Sequence, residues 1–328
     1  MNLIEKYLVY IRDIRRYSER TLRNYGDVLK TFCEVIHGDG GVSNEELAAS
    51  MNVSELRTYE VKLLERGLSP KTVNMHMSAL SGFCRFLMKE EVLASNPVKL
   101  VAKPKVEKRL PVFFKAEAMN DYLSRTSHFL DSSGVEAFLE GWQTKSGKEY
   151  YDGMLSRMII AILYSLGLRR AELIALAVGD VDFGRNVVKV RGKGDKMREI
   201  PLIASLSQEI LLYLKAVETM CGGKRSLKEP LLVTYKGSGL YPAYVDKAVK
   251  SGLKGQKGIT GRKSPHVLRH SLATELMNDG TDIFSIKEML GHSSLATTQI
   301  YTHSSIAQLK HSYEQAHPRA KNGGKNGD

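Results

Sequence analysis

The sequence predicts a mainly α-helical protein of two domains with one small β-sheet, which belongs to the second domain. Three observations carry this expectation. Apolar residues recur at helical spacing through residues 1 to about 92. A proline- and lysine-rich stretch without a period, residues 95–110, then separates this part from the rest. Beyond it, one β-branched segment with a glycine-rich centre stands among helical patterns.

The first domain, residues 1–94, reads as four helices. Leu3, Tyr7, Ile11 and Ile14 fall on one face of the first, and Leu22, Tyr25, Leu29, Phe32 and Ile36 on one face of the second. A third follows Ser54 and stops near Gly67. The fourth has the clearest start, with Ser69 as N-cap and Pro70 at the first helical position, and Val73, Met77, Leu80, Phe83 and Leu87 line its inner side. Arg15, Arg16, Arg20 and Arg23 cluster at a helix junction, with Lys71 and Arg85 on another helix. They are candidates for contact with a polyanion, and a solvated basic face is the plainer alternative.

Residues 95–110 read as an extended basic linker, and residues 111–316 as the second domain. A helix begins at Glu117, and residues 125–152, with the single tryptophan Trp142, read as an irregular or partly helical excursion. The apolar run "MLSRMIIAILYSLGL" predicts a long helix leading into "RRAELIALAVGDVDF". In "NVVKVRGKGDKMREIPL", residues 186–202, Gly192-Lys193-Gly194-Asp195 marks a hairpin turn. Helices dominate from about residue 205. Residues 317–328, with "KNGGKNGD", have nothing to bury and are expected to be disordered.

Bulk properties narrow the function. The 328 residues carry 48 Lys+Arg against 36 Asp+Glu, a net charge of +12, which favours a polyanionic partner, nucleic acid above all. Three scattered cysteines without a CxxC pair argue against a disulfide framework or a cysteine zinc site. Neither a signal peptide nor a membrane-length apolar run is expected, which points to the cytoplasm and to no membrane partner.

Several short segments put polar groups beside apolar runs. "GLRRAEL" places Arg169 and Glu172 at i and i+3 of a helix, where the carboxylate orients the guanidinium. "RGKGDK" lifts Lys193 onto a turn. In "SPHVLRHSLATELM", Ser264 and Pro265 start a helix with Leu268, Leu272 and Leu276 on its buried side and His266, Arg269 and His270 together on another. The i, i+4 histidines have zinc-pair spacing, but no HExxH glutamate or carboxylate cluster accompanies them, so no metal site is expected. "DIFSIKEMLGH" reads as an amphipathic helix ending at Gly291 and presenting His292, with Ser294 able to cap the short helix that precedes Tyr301. Two arginines, two histidines and a lysine suit one anion, and a phosphodiester fits bidentate guanidiniums. Tyr301 supplies a nucleophile.

In that order, Arg169, Lys193, His266, Arg269, His292 and Tyr301 resemble the R…K…HxxR…H…Y pattern of the tyrosine recombinases, and within that family the Xer and simple phage-integrase type. The nine-residue step from His292 to Tyr301 also agrees. The resemblance covers essentially the whole chain. It implies an N-terminal helical core-binding (SAM-like) domain and an α+β catalytic domain, without a separate arm-binding domain. Ala171 stands where the family often has serine, and the 125–152 stretch is longer than in minimal members.

The resemblance further implies a site-specific recombinase acting on double-stranded DNA with paired sites. It would work through a 3′-phosphotyrosyl intermediate and a Holliday junction held by four protomers. In this picture Tyr301 attacks, Arg169 and Arg269 clamp the phosphate, Lys193 is the general acid, His266 accepts the tyrosine proton, His292 adds a phosphate hydrogen bond and Glu172 supports Arg169. No ATP, metal or other cofactor is implied. A second recombinase or accessory protein stays open. The alternatives are type IB topoisomerase-like relaxation and a catalytically silent DNA-binding protein. After Tyr301, Ile306, Leu309 and Tyr313 form an apolar stripe, expected to pack on the chain itself or on a neighbouring protomer.

Overall fold

A computed structural model describes residues 1–38, 40–106, 112–192 and 195–291. The chain divides into two compact units, Met1–Leu110 and Pro111–Asp328.

In the N-terminal unit each helix start is set by a short polar side chain. Asn2 and Glu5 each accept the other's backbone N–H, at 2.8 and 3.0 Å, and open α1 (Leu3–Val9). Ser18 caps α2 (Glu19–His37), and Ser43 with Glu46 forms a second reciprocal box at α3 (Asn44–Ser50). Asn52 caps α4 (Val53–Glu65), and Ser69 with Pro70 opens α5 (Pro70–Lys89). The four expected helices are therefore five α-helices. The extra one, α3, is too short to display a period, although its Ser43…Glu46 signature stands in the sequence. The helix expected after Ser54 starts earlier, from Asn52.

The first apolar face also ends sooner than expected. After α1 the backbone widens into a π turn over Tyr10–Ile14, where Arg15 N–H donates to the Tyr10 carbonyl at 3.1 Å. That turn rotates the following positions. Leu3, Tyr7 and Ile11 stay buried, whereas Ile14 is 68% exposed. Phe32, Tyr59, Leu80, Phe83 and Leu87 fill the centre of the unit. Residues 95–110 are not extended throughout, because Pro97–Leu100 forms a 3₁₀ turn and Val98 and Val101 join this same core. Asn96 anchors the turn by donating to the Ser81 carbonyl at 3.1 Å.

The C-terminal unit is built around one helix. α6 (Ala116–Arg125), a 3₁₀ turn (Ser127–Leu130) and α7 (Ser132–Gly141) lead to α8 (Lys145–Leu166). The 125–152 stretch is thus largely helical, and the long apolar helix begins inside it. Val135 and Phe138 of α7 are buried in the main core, and Tyr235 donates to the Trp142 carbonyl at 2.8 Å. Met154, Leu155, Met158, Ile159, Ile160, Ala161, Ile162 and Leu163 are all fully buried, so the second half of α8 is apolar around most of its girth because it is covered there, with buried Arg157 ion-paired to Glu209. Among the described residues no helix is long and apolar enough to cross a membrane.

After α8 come α9 (Arg170–Ala175) and a three-stranded antiparallel sheet in the order β1 (Val181–Asp182), β2 (Val187–Arg191), β3 (Met197–Pro201). The expected hairpin is β2–β3, in the register Arg191↔Met197, with Gly192 N–H donating to the Lys196 carbonyl at 2.8 Å. Its third strand, β1, is two residues long, too short to show alternation in the sequence. α10 (Ala204–Met220), α11 (Pro242–Gly252), α12 (Pro265–Asn278) and α13 (Ile283–Leu290) complete the described unit.

Gly167 ends α8 in the left-handed region at φ 60°, and a Cβ there would lie 2.5 Å from Leu290 Cδ2 and 3.1 Å from Leu272 Cδ2. Gly167→Ala combines left-handed strain with overpacking, and a loss of about 2–4 kcal/mol is expected in urea unfolding. A variant as stable as the parent would mean that α13 is not pressed against this turn.

Candidate active site

The site begins where α8 stops. Gly167 turns the chain, and Arg169 follows in extended conformation as the residue before α9. Arg169 is therefore the cap residue and not part of the helix, but the expected i, i+3 pairing with Glu172 forms. Glu172 reaches back to the helix start, accepting the Arg169 backbone N–H at 2.8 Å on Oε2 and its Nη1 at 2.7 Å on Oε1. The same carboxylate takes a second guanidinium face-on, with Arg198 Nη1 and Nη2 at 3.0 and 2.9 Å. Burial opposes the charge on Glu172, but the Arg198 and Arg169 bonds outweigh it and hold the carboxyl below its ordinary value.

Arg269, on α12, enters from the core side. It is 4% exposed, far more buried than His266, with which it was expected to share a side and with which it lines the cleft described below. The burial has a physical reason, because the guanidinium finds backbone carbonyls as partners there. Its Nη1 donates to the Gly167 carbonyl at 2.6 Å and its Nη2 to the Leu290 carbonyl. Burial, then the neighbouring Arg169, draws this guanidinium down to about 10, with Glu172 opposing and Arg198 adding to the fall.

Three arginines thus meet the end of α13. Arg198 Nε donates to the Met289 carbonyl at 2.8 Å, Arg269 to that of Leu290, and Arg169 Nη2 to that of Gly291 at 2.6 Å. These are helix-end carbonyls without intrahelical donors, at the negative end of the helix dipole. Gly291 closes the helix at φ 66°, as the sequence reading expected of this glycine.

A cleft of about 790 Å³ opens over this cluster. Arg169, Arg269 and His266 line it together, joined by Arg170, Lys250, Lys254, Arg262 and Lys263. Asp246 is the carboxylate among the lining residues and is ion-paired with Arg170. His266 is exposed on the first turn of α12, and His270, one turn on, is half-buried. The arrangement can bind a polyanion and neutralise charge that develops on it.

The structure therefore brings Arg169, Arg269, His266 and Glu172 into one place. Lys193, His292 and Tyr301 lie outside the described residues, as do Ser294, the stripe of Ile306, Leu309 and Tyr313, and residues 317–328. Gly192, next to Lys193, borders the cluster, since a Cβ on it would lie 4.0 Å from Glu172 Oε1. Arg198 was not anticipated, nor were the five additional cations of the cleft. A signal for Arg198 existed: it sits in phase with buried Ile200 on β3, and an arginine on a core-facing position needs buried partners.

In the N-terminal unit Arg15, Arg16, Arg20, Arg23, Lys71 and Arg85 are all exposed. Arg16 takes a left-handed φ of 51° at the junction before α2. Burial raises the hydroxyls of Tyr7 and Tyr25 above their ordinary value, and Arg85, on α5, lies close enough to oppose that rise in part, so it belongs to the α1–α2 side of the unit. Tyr17 and Tyr25 meet edge-on at 6.0 Å on that side.

Comparison with known proteins gives consistent results. Residues 128–308 match the model of the phage integrase family, and residues 4–91 match the phage integrase N-terminal SAM-like domain. The chain is 31% identical to the tyrosine recombinase XerC of Chlorobaculum parvum, over 97% of this chain and 94% of that protein. It is 31% identical to XerC of Bacillus subtilis, over 97% of each. The tyrosine recombinase XerD of Staphylococcus epidermidis is also 31% identical, over 97% of this chain and 99% of its own. Among solved structures, the Tn1549 transposon integrase in complex with transposon right end DNA aligns with a TM-score of 0.62 at 20% identity, covering 94% of this chain and 98% of that one. A lambda integrase dimer bound to a core site aligns at 0.59 and 16% identity, over 91% and 98%. These two likenesses concern the fold.

Glu172→Gln leaves two guanidiniums facing a neutral amide in a buried place, and a loss of about 3–5 kcal/mol is expected. Because the native carboxyl lies below its ordinary value of 4.5, its contribution is complete above that pH and is lost as the pH falls through the lower native value. The stability gap between parent and variant should therefore be widest near neutrality and narrow below pH 4.5. A gap that does not change with pH would show that the charge of Glu172 is not what holds the cluster.

Proposed function

The chain belongs to the phage integrase family and is a tyrosine recombinase, an enzyme of site-specific DNA recombination, and from that premise we propose that it cleaves and rejoins duplex DNA through Tyr301. The supporting observation is the basic cleft in which Arg169, Arg269 and His266 stand together. Tyr301 Oη attacks the scissile phosphorus, the bond to the 5′ oxygen breaks, and a 3′-phosphotyrosine and a free 5′-hydroxyl result. The phosphate gains charge on its non-bridging oxygens along the way, and the two guanidiniums neutralise it from fixed positions. Arg269 is held by the Gly167 and Leu290 carbonyls, and Arg169 by Glu172 and the Gly291 carbonyl, so neither has to reorganise as charge develops.

His266 takes the tyrosine proton, Lys193 gives one to the departing 5′ oxygen, and His292 adds a hydrogen bond to the phosphate. Bond energy is kept in the phosphotyrosine, so a 5′-hydroxyl from a second duplex can reverse the step and exchange strands without ATP or metal. The whole reaction then runs through a Holliday junction held by four protomers in the cytoplasm. In this reading residues 1–94 are the core-binding domain, 95–110 join it to the catalytic domain at 111–316, and 317–328 form a tail. Arg15, Arg16, Arg20, Arg23, Lys71 and Arg85 contact phosphates from the N-terminal domain.

Trapping the protein covalently on its own genome and sequencing the attached DNA maps the site. A supercoiled plasmid with two copies of that site then separates the outcomes: recombinant products support the proposal, relaxation alone points to a topoisomerase-like cycle, and neither points to a binding protein.

Tyr301→Phe is expected to bind the mapped site but form no adduct on a nicked suicide substrate. A covalent band from this variant on a denaturing gel would end the assignment of the nucleophile. Lys193→Ala should slow cleavage of ordinary DNA by about 10²- to 10⁴-fold, the usual worth of a general acid. It should recover on a substrate whose 5′-bridging oxygen is replaced by sulfur, which departs without a proton. Equal defects on both substrates would assign Lys193 to binding instead.

A further inference from the structure

Arg198 has no role in the mechanism just described, yet it is buried beside the site with every nitrogen of its guanidinium bonded. It is 7% exposed, in the strand that follows the Lys193 turn. Its two Nη atoms grip both oxygens of Glu172, and its Nε holds the Met289 carbonyl at the end of α13. Two glycines flank the guanidinium. A Cβ on Gly291 would lie 3.2 Å from Arg198 Nη1, and one on Gly192 would lie 3.5 Å from it. Gly192 opens the Lys193 turn, and Gly291 directly precedes His292.

Glu172 is thereby oriented from two sides. One side fixes Arg169, and the other ties the carboxylate to the hairpin and to α13. Without Arg198, Glu172 would keep one guanidinium partner and could rotate away with it, and the Met289 carbonyl would lose its donor. A lysine could supply the charge but not the planar fork that serves two carboxylate oxygens and a carbonyl at once.

We propose that Arg198 is a positioning residue, which sets the placement of the Arg169–Arg269 clamp on the scissile phosphate by locking Glu172 to the end of α13. It does not touch the phosphate itself. The inference rests on the function proposed above, and the test separates the two.

The experiment measures single-turnover adduct formation by the full-length protein at saturating concentration, on a nicked duplex carrying the mapped site. Arg198→Lys is compared with the parent on two forms of the duplex, one with the ordinary scissile phosphodiester and one with a methylphosphonate there. The methylphosphonate carries no charge for the arginines to neutralise. The expected result is unchanged DNA affinity, adduct formation slowed by about 10²-fold on the phosphodiester, the scale of a misplaced catalytic group, and a much smaller deficit on the methylphosphonate. Equal slowing on both substrates would reduce Arg198 to a general structural residue and overturn the proposal, as would an undiminished rate. If Arg198→Lys melts below the assay temperature, Arg198→Gln, which keeps an amide donor for Glu172, takes the same comparison. Collapse of both variants would likewise overturn it, because Arg198 would then serve the fold rather than the placement. Failure of the parent protein to form an adduct on any DNA would defeat the proposed function itself. A reactive parent with indifferent Arg198 variants would defeat only this inference.

Discussion

Three consecutive carbonyls at the end of one helix each accept a hydrogen bond from a different arginine, and the geometry of the catalytic unit follows from that fact. Met289, Leu290 and Gly291 receive Arg198, Arg269 and Arg169 in turn. Like charges do not gather without compensation. Here the compensation comes from the negative pole of α13 and from Glu172, which two of the guanidiniums share. The guanidiniums in turn satisfy helix-end carbonyls that have no intrahelical donor among the described residues. Each side of the arrangement removes a cost that the other would carry alone, and the product is a site charged in advance of any ligand.

Rigid support for this cluster comes from α8. Its fully buried middle ends at Gly167, where the left-handed turn brings a carbonyl to Arg269 and leaves space for Leu290 and Leu272. The glycines at 167 and 291 are both required by positive φ and by close neighbours, and together they let two helix ends meet at Arg269. Sites assembled from such element ends can be preorganised while leaving one face open to a large ligand. The 790 Å³ cleft with its added lysines and arginines is that face.

Much of the fold was legible locally. The Ser69–Pro70 start of α5, the buried face from Val73 to Leu87, the β2–β3 hairpin and the Gly291 stop of α13 all stand as read, because caps, turns and long periodic faces are short-range chemistry. Where the reading departed, a non-local or very short feature decided. The π turn that exposes Ile14, the seven-residue α3 and the two-residue β1 leave no period to detect. The helical character of residues 132–152 depends on Val135 and Phe138 finding the α8 core, which no neighbour in sequence announces.

The candidate site divides in the same way. By itself the sequence determined which chemistries were at hand: the order and spacing of Arg169, Lys193, His266, Arg269, His292 and Tyr301 sufficed to assign the family and the reaction class, because these motifs are short and read along the chain. Tertiary structure alone decided where the arginines spend their donors. It buried Arg269, added the Gly291 carbonyl to the Glu172 partner that the sequence had already suggested for Arg169, and brought in Arg198 from a strand. Those placements depend on hydrogen bonds between residues 26, 91 and 122 positions apart. A carbonyl carries no side-chain signature, so no sequence pattern marks Met289, Leu290 and Gly291 as the acceptors on which three distant guanidiniums converge.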